Sequence, residues 1–365
     1  MNFVKHSRYQ HNTDISYPQH FIALSERESI EIVFNESRLS TWIADAATRL
    51  RLTRFGSQKY PIISKVLFFL ARHSFLFPWQ LRDIDAIISF WFFPIPLSRK
   101  RIPIFFPTGF LPNEYVGARS DAERTEELVQ LSKWFSRADL ISFPAQSWIN
   151  HFNSLNSNFR DKIIFLPFLL PGATPAAASF VHTKFDNAGT VSILFVGQDG
   201  KRKGLNRLCQ ALDLLAVTSP DIAAKLRVTI VSRTPFDRVQ GVEIRHLQSL
   251  SRHEVLSLMR EAHIFCLPTQ RDSYGFVFIE AMANGCAIIA DNQDPRPEIL
   301  AQGECGILTD TSPVAIAAAI KSLVSDMQAA KALALRALRR YCTVYDFRQV
   351  RQQYIDRLIA MVGVS

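Results

Sequence analysis

The stretch from His263 to Ala290, HIFCLPTQRDSYGFVFIEAMANGCAIIA, leaves the chain few ways to fold. Ile264 to Leu267 is an apolar run ended by Pro268, and the polar loop Thr269 to Ser273 precedes a helix expected to open near Gly275. Gly285 stands where a C-terminal glycine cap belongs, and Cys286 to Ala290 resumes as a second apolar strand. Strand, loop, short helix and strand make a βαβ unit. The sheet is therefore expected to be parallel and the fold class α/β.

Phe276, Val277, Phe278, Ile279, Ala281, Met282 and Ala283 leave that helix almost no polar face, and Glu280 is the exception. A carboxylate among such neighbours must be compensated, either by a ligand rich in hydroxyls or by an Arg or Lys from elsewhere in the fold. The residues alone leave both open. Gly275 lets a ligand approach the backbone at the helix N-terminus, where free amides attract an anion such as a diphosphate. Asp272 and Ser273 have a second reading as plain N-caps.

The run from Asp272 to Gly285, DSYGFVFIEAMANG, resembles the Glu-x7-Glu signature of the family 4 retaining glycosyltransferases, with Asp272 in place of the first Glu. SLSRHEVLSLMREAHIFCLPTQ before it and PEILAQGECGIL after it are similar to that family in order and spacing. The resemblance implies a GT-B fold of two Rossmann-like domains facing a cleft, with a final helix crossing back to the first domain. It also implies transfer of a sugar from a nucleotide-sugar to a hydroxyl acceptor, with no cofactor and no metal. Glu280 would then accept from the ribose hydroxyls and Asp272 would face hydroxyls of the sugar. Amides near Ser273, Tyr274, Gly275, Phe276 and Val277 would meet the leaving diphosphate.

A second phosphate-binding feature lies upstream. Val191 to Gly197 reads as a buried strand, the loop Gln198-Asp199-Gly200-Lys201-Arg202-Lys203-Gly204 follows it, and Leu205, Leu208, Leu212 and Leu215 share one face of the next helix. A basic loop with two glycines before a helix suits a phosphate, and a solvated basic turn is the competing reading. It is neither a Walker loop nor a G-x-G-x-x-G fingerprint. By resemblance, Lys203 falls on the family's diphosphate-binding Lys, whereas Gln198 stands where an Arg is usual, leaving Arg202 or Lys201 to supply that charge. Arg233, after the strand Val228 to Val231, falls in a loop that lies near the nucleotide in relatives. His263, where relatives often carry Asp, is expected to be structural.

Charge is unevenly spread in a chain of net charge +9. Arg49 to Arg101 holds ten Lys or Arg against Asp83 and Asp85, and residues 46–82 hold no acid while basic and aromatic residues interleave. Such a stretch suits an anionic membrane surface, or a domain core with solvated basic groups. The first reading agrees with the lipid-linked acceptors of many relatives and implies a peripheral cytoplasmic protein. No nucleic-acid-binding module is recognisable. Asp83-Ile84-Asp85 has the D-x-D form of a metal-nucleotide site, yet it precedes its strand, whereas ligands of parallel sheets gather at the carboxyl ends. Five cysteines, odd in number and with no C-x2-C pair, point to free thiols in a reducing compartment.

The expected organisation is an acceptor-binding domain over 1–170, a linker over 171–190 and a donor-binding domain over 191–342. A final helix over 343–365 opens with the box Asp346-Phe347-Arg348-Gln349. Helices are expected from Leu39 towards Arg54 and over Ile62 to Phe77. The first domain departs from the family in having no glycine before Gly56 and no His where the strand 102–106 ends, in Pro107-Thr108-Gly109. With Gln198 and Asp272, those departures admit a nucleotide-sugar-binding protein without transfer activity. A nucleotide-sugar epimerase of related fold fits the Asp-x7-Glu stretch less well.

Overall fold

The computed structural model describes residues 85–89, 101–108, 132–133 and 135–363, except 187, 188, 238, 271 and 273, together with the backbones of four strands nearer the N-terminus. Two compact units result. The first comprises Met1–Pro144, Ile149–Leu169 and Arg351–Ser365, and the second Ala145–Trp148 and Leu170–Val350.

In the first unit, β1 (Asn2–His6), β2 (Glu31–Phe34), β4 (Ala86–Ser89), β6 (Ile104–Pro107), β7 (Leu140–Phe143) and β8 (Ile163–Phe165) form one sheet. Its order is β2-β1-β4-β6-β7-β8 and every pairing is parallel. Parallel strands need crossover connections, so they are buried on both faces and read as continuous apolar runs. Phe135 fills the core beside this sheet, with the rings of Phe106, Phe143, Phe152 and Phe159 around it at 5.0 to 6.2 Å. Helix α1 (Gln146–Leu155) supplies Phe152. Asp85 lies in a bend before β4, as its place ahead of the strand led us to expect, and Asp83 lies outside the described residues.

The sequence misled at one place here. His73–Leu76, expected as the end of a helix, is strand β3, and it pairs in parallel with β5 (Phe93–Pro96) in a separate two-stranded sheet. Pro94 and Pro96 are tolerated because β5 is an edge. The helix expected from Leu39 and the basic stretch 46–82, apart from the backbone of β3, lie outside the described residues.

The second unit is built on β9 (Val191–Val196), β10 (Leu226–Val231), β11 (Glu243–Leu247), β12 (Ile264–Leu267), β13 (Ala287–Asp291) and β14 (Ile307–Thr309). Their order, β11-β10-β9-β12-β13-β14, is again wholly parallel. Helix α3 (Leu205–Thr218) buries Leu205, Leu208, Leu212 and Leu215, the stripe read from the sequence. Each such leucine contributes about 1.5–3 kcal/mol of transfer free energy. Helix α4 (Arg252–Glu261) opens with a complete capping box from Ser251 and Glu254. Helix α5 (Phe276–Ala283) is the apolar helix of the central βαβ unit, with Phe278 edge-on to Phe265 of β12 at 5.9 Å.

The stretch 171–190 is more than a connection. It contains helix α2 (Ala178–Asp186), whose Val181 and Phe185 are buried in the second unit. A side chain at Gly285 would meet Val181 Cγ2 at 2.4 Å, and Gly285 has a φ of +65°, so the α5 cap needs glycine on both counts. Helices α6 (Pro313–Ser325) and α7 (Met327–Arg340) complete the unit. The last helix, α8 (Phe347–Val362), passes into the first unit from Arg351 onward, where Tyr354 meets Phe105 edge-on at 6.0 Å. Its cap is simpler than the expected box. Asp346 Oδ1 accepts from the Arg348 and Gln349 amides, while the Gln349 side chain donates to the Cys342 carbonyl instead of reaching back. Among the described residues, no helix is long and apolar enough to cross a membrane.

Candidate donor-binding site

From β9 the chain moves outward to β10 and β11 and then returns to place β12 against the other side of β9. That reversal is a topological switch point, where the loops leaving adjacent carboxyl ends diverge and leave a crevice. The loops concerned are Gly197–Gly204 after β9 and Pro268–Gly275 after β12. These are the two stretches the sequence singled out.

The two loops are joined backbone to backbone. The Gln270 amide and the Thr269 hydroxyl both donate to the Arg202 carbonyl, at 3.0 and 3.3 Å. Gly204 has a φ of +84°, and a Cβ there would lie 2.0 Å from the Pro268 carbonyl oxygen, so only glycine lets the loops close. A Cβ on Gly197 would come within 2.8 Å of the Lys203 Cβ and Cγ. Its absence allows the lysine stem to fold over the strand end.

Gly200–Lys203 is a single helical turn whose Lys201 and Arg202 are exposed, and Asp199 caps it by accepting from the Arg202 amide at 3.2 Å. The Gly200 amide donates to Thr234 Oγ1 at 2.8 Å. Thr234 Oγ1 also donates to the Gln198 carbonyl, and the Thr234 amide donates to Ser232 Oγ. Arg233, between Ser232 and Thr234, is exposed, and so is Gln198. Lys203 points the other way. Its Nζ stands 2.5 Å from Asp272 Oδ2, and Arg202 Nη1 stands 3.7 Å from Asp272 Oδ1. Burial pulls the Lys203 pKa below the usual lysine range, and the Asp272 charge opposes that shift.

Asp272 is therefore the partner of a cation and not the N-cap that spacing allowed. Helix α5 is capped by Gly275, at a φ of +98°, with no side-chain cap. The first-turn amides of a helix lack intrahelical acceptors, and here the positive end of the helix faces the loop that carries Lys203 and Asp272. Tyr274 is buried, with its ring 5.6 Å from Phe276 and 6.0 Å from Trp148. Phe276 and Val277 are half-buried in the first turn, and Ser273 lies outside the described residues.

Glu280 stands apart from this cluster. It is buried, and its Oε1 accepts from Arg252 Nε at 2.9 Å, with Nη2 at the same distance as an ion-pair contact that makes no hydrogen bond. Burial raises its pKa and the Arg252 charge opposes the rise. The arginine foreseen as one of two explanations for Glu280 is thus present, and it occupies one carboxylate oxygen. Arg296 was not foreseen. It is 1% exposed, clasps the buried Asp291 through Nε and Nη2, and donates from Nη1 to the Asp272 carbonyl at 3.3 Å. His263 is structural, as expected, with Ser192 at Nδ1 and the Lys184 carbonyl at Nε2. All five cysteines are free thiols. Among the described residues, no group of three acids, histidines or cysteines could hold a metal ion.

Residues 183–340 match the family described as glycosyl transferases group 1. The phosphatidyl-myo-inositol mannosyltransferase of Mycobacterium tuberculosis is 32% identical over 136 residues, 35% of each chain. The D-inositol 3-phosphate glycosyltransferase of Corynebacterium glutamicum is 34% identical over 160 residues, 40% of this chain and 36% of that one. The matched stretch thus spans little more than a third of the length of these curated relatives. Anabaena HepE in complex with UDP and glucose superposes with a TM-score of 0.63 at 13% identity, covering 99% of this chain and 100% of that one. The chain has the α/β GT-B fold of two Rossmann-like domains, and the match to glycosyl transferases group 1 lies within its residues 183–340.

Proposed function

We propose that the protein is a retaining, metal-independent glycosyltransferase that moves a sugar from a nucleotide-sugar to a hydroxyl of a glycan or lipid-linked saccharide. The observation that carries this reading is the meeting of Lys203, Asp272 and the start of α5 at the switch point. In this reading Lys203 and the α5 amides hold the diphosphate and stabilise the charge that grows on it as the sugar leaves. Glu280 accepts from the ribose hydroxyls and Asp272 from hydroxyls of the sugar. Gly197, Gln198, Arg202 and Arg233 line the donor side.

Chemically, the bond from the anomeric carbon to the diphosphate oxygen breaks and a bond to the acceptor oxygen forms on the same face. The acceptor proton passes to the departing phosphate. The likeness of residues 183–340 to glycosyl transferases group 1, and the glycosyltransferase names of the relatives, support this class of reaction. A role in cell-surface polysaccharide synthesis, on the cytoplasmic face of a membrane reached through the basic stretch 46–82, completes the proposal.

A second reading, a nucleotide-sugar-binding protein without transfer activity, is favoured by one observation. Asp272 neutralises Lys203, the cation meant for the diphosphate. A thermal-shift and hydrolysis screen against UDP-, GDP- and ADP-sugars, with Glu280→Ala and Lys203→Ala alongside, separates the two. Slow hydrolysis of one stabilising donor by the wild type alone supports the transferase. Stabilisation without turnover, even with acceptors, supports the binding protein, and no stabilisation by any donor sinks both.

A further inference from the structure

Glu280 is placed by an apparatus that the reaction itself does not call for. Arg252 is the first residue of α4, fixed by the Ser251–Glu254 capping box. From there its guanidinium spreads over two partners. Nε and Nη2 meet Glu280 Oε1 at 2.9 Å, and Nη1 donates to the Pro171 carbonyl at 2.5 Å. Next to Pro171, Gly172 has a φ of +82°, and a Cβ there would lie 3.0 Å from Nη1, so the chain has made room for the guanidinium. The same segment is tied to α5 by the Ala176 amide on the Ala283 carbonyl, and Tyr341 Oη donates to the Ala173 carbonyl at 2.5 Å.

This geometry has a consequence for the carboxylate. Both guanidinium nitrogens approach the same oxygen, so Oε1 is held in place while Oε2 takes no hydrogen bond from the described residues. A planar guanidinium can fix an orientation in this way, whereas a lysine ammonium is only a point charge. Buried at the second turn of α5, Glu280 would otherwise rotate freely or pair with whatever cation came near.

Building on the donor-site reading above, we propose that Arg252 is a positioning residue for the nucleotide ribose. It holds Glu280 so that the other carboxylate oxygen meets the 2′- and 3′-hydroxyls, and it anchors that arrangement to the 171–176 segment.

The test compares UDP and GDP with their 2′,3′-dideoxy counterparts by titration calorimetry, on wild type, Arg252→Met, Arg252→Lys and Glu280→Gln. A hydrogen bond to a charged acceptor corresponds to about tenfold or more in affinity, so the wild type is expected to favour one ribonucleotide over its dideoxy form by roughly that factor. Arg252→Met is expected to lose most of the preference while retaining the dideoxy affinity, and Arg252→Lys to recover part of it. A purely structural role would weaken both nucleotides alike and leave their ratio intact, which would overturn the inference, as would full preference in Arg252→Met. If the wild type binds a nucleotide but shows no ribose preference, the assignment of Glu280 to the ribose fails first and Arg252 falls with it. Should Arg252→Met not fold, the ratio in Arg252→Lys decides, and an unchanged Lys ratio with reduced affinity for both forms overturns the inference.

Discussion

Lys203 Nζ lies 2.5 Å from Asp272 Oδ2, across the two loops that leave adjacent strands. An incoming diphosphate must compete with this carboxylate for the ammonium. Asp272→Asn should therefore bind a nucleoside diphosphate more tightly than the wild type, while Lys203→Ala binds it about tenfold to a hundredfold more weakly, as expected for a charged hydrogen bond. Turnover of the donor sugar should fall in both variants. Calorimetric titration with UDP and GDP checks the first point, and a loss of affinity in Asp272→Asn equal to that in Lys203→Ala would show that the pair acts as one structural unit.

Gly204 and Gly303 both have positive φ, +84° and +98°, but only Gly204 is crowded, with the Pro268 carbonyl 2.0 Å from where a Cβ would stand. Left-handed backbone costs a non-glycine residue about 1–2 kcal/mol. Gly303→Ala should lose about that much stability and keep its donor affinity. Gly204→Ala should lose more, because the β12 loop must move, and its donor affinity should fall as well. Thermal melts of the two variants, with and without nucleotide, separate strain from displacement.

The central βαβ unit was legible because its apolar runs, proline and two glycines are local signals, and the loops at the switch point followed from them. Residues acting across the fold left weaker traces. Arg252 sits inside a Ser-x-x-Glu capping box that announces a helix start, but nothing in the sequence says that its partner is 28 residues away. Helix α2 was hidden by the Pro, Gly and Ala around it, although Val181 and Phe185 keep helical spacing, because the surface that buries them comes from Gly285, His263 and α7. His73–Leu76 read as helix because an apolar run cannot declare its period over four residues, and the pairing with β5 decided it.

Arg296 and Asp291 are a buried pair, 1% and 0% exposed at their side chains. Burial raises the Asp291 pKa even with the guanidinium opposing it, so the pair depends on its geometry. Removing one partner leaves the other as an uncompensated buried group, at a cost of about 3–5 kcal/mol. Arg296→Met and Asp291→Leu should each lower the melting temperature by that equivalent, and the double variant should lose less than their sum. Arg296→Met should also loosen the Asp272 loop, since it removes the donor to the Asp272 carbonyl. Strict additivity in the double variant would mean that the pair contributes no coupling.

His263 gives the fold an acid-sensitive point away from the donor loops. Its Nδ1 accepts from the Ser192 amide at 3.1 Å and lies 2.8 Å from the Ser192 hydroxyl, and its Nε2 faces the Lys184 carbonyl. Nδ1 must therefore be unprotonated, and burial lowers the ring's pKa below the usual 6.5, opposed by the hydrogen bond with the Lys184 carbonyl and aided by the Lys184 charge. The unfolded chain then binds a proton that the folded chain refuses between the two pKa values. The stability contribution is fully present above about pH 6.5 and is lost as pH falls towards the folded pKa. His263→Gln, which removes the titrating ring, should show a stability difference from wild type that shifts in its favour as pH is lowered from 7 to 5. Denaturant titrations at several pH values measure it, and a difference that does not change with pH would mean that the ring keeps an ordinary pKa in the fold.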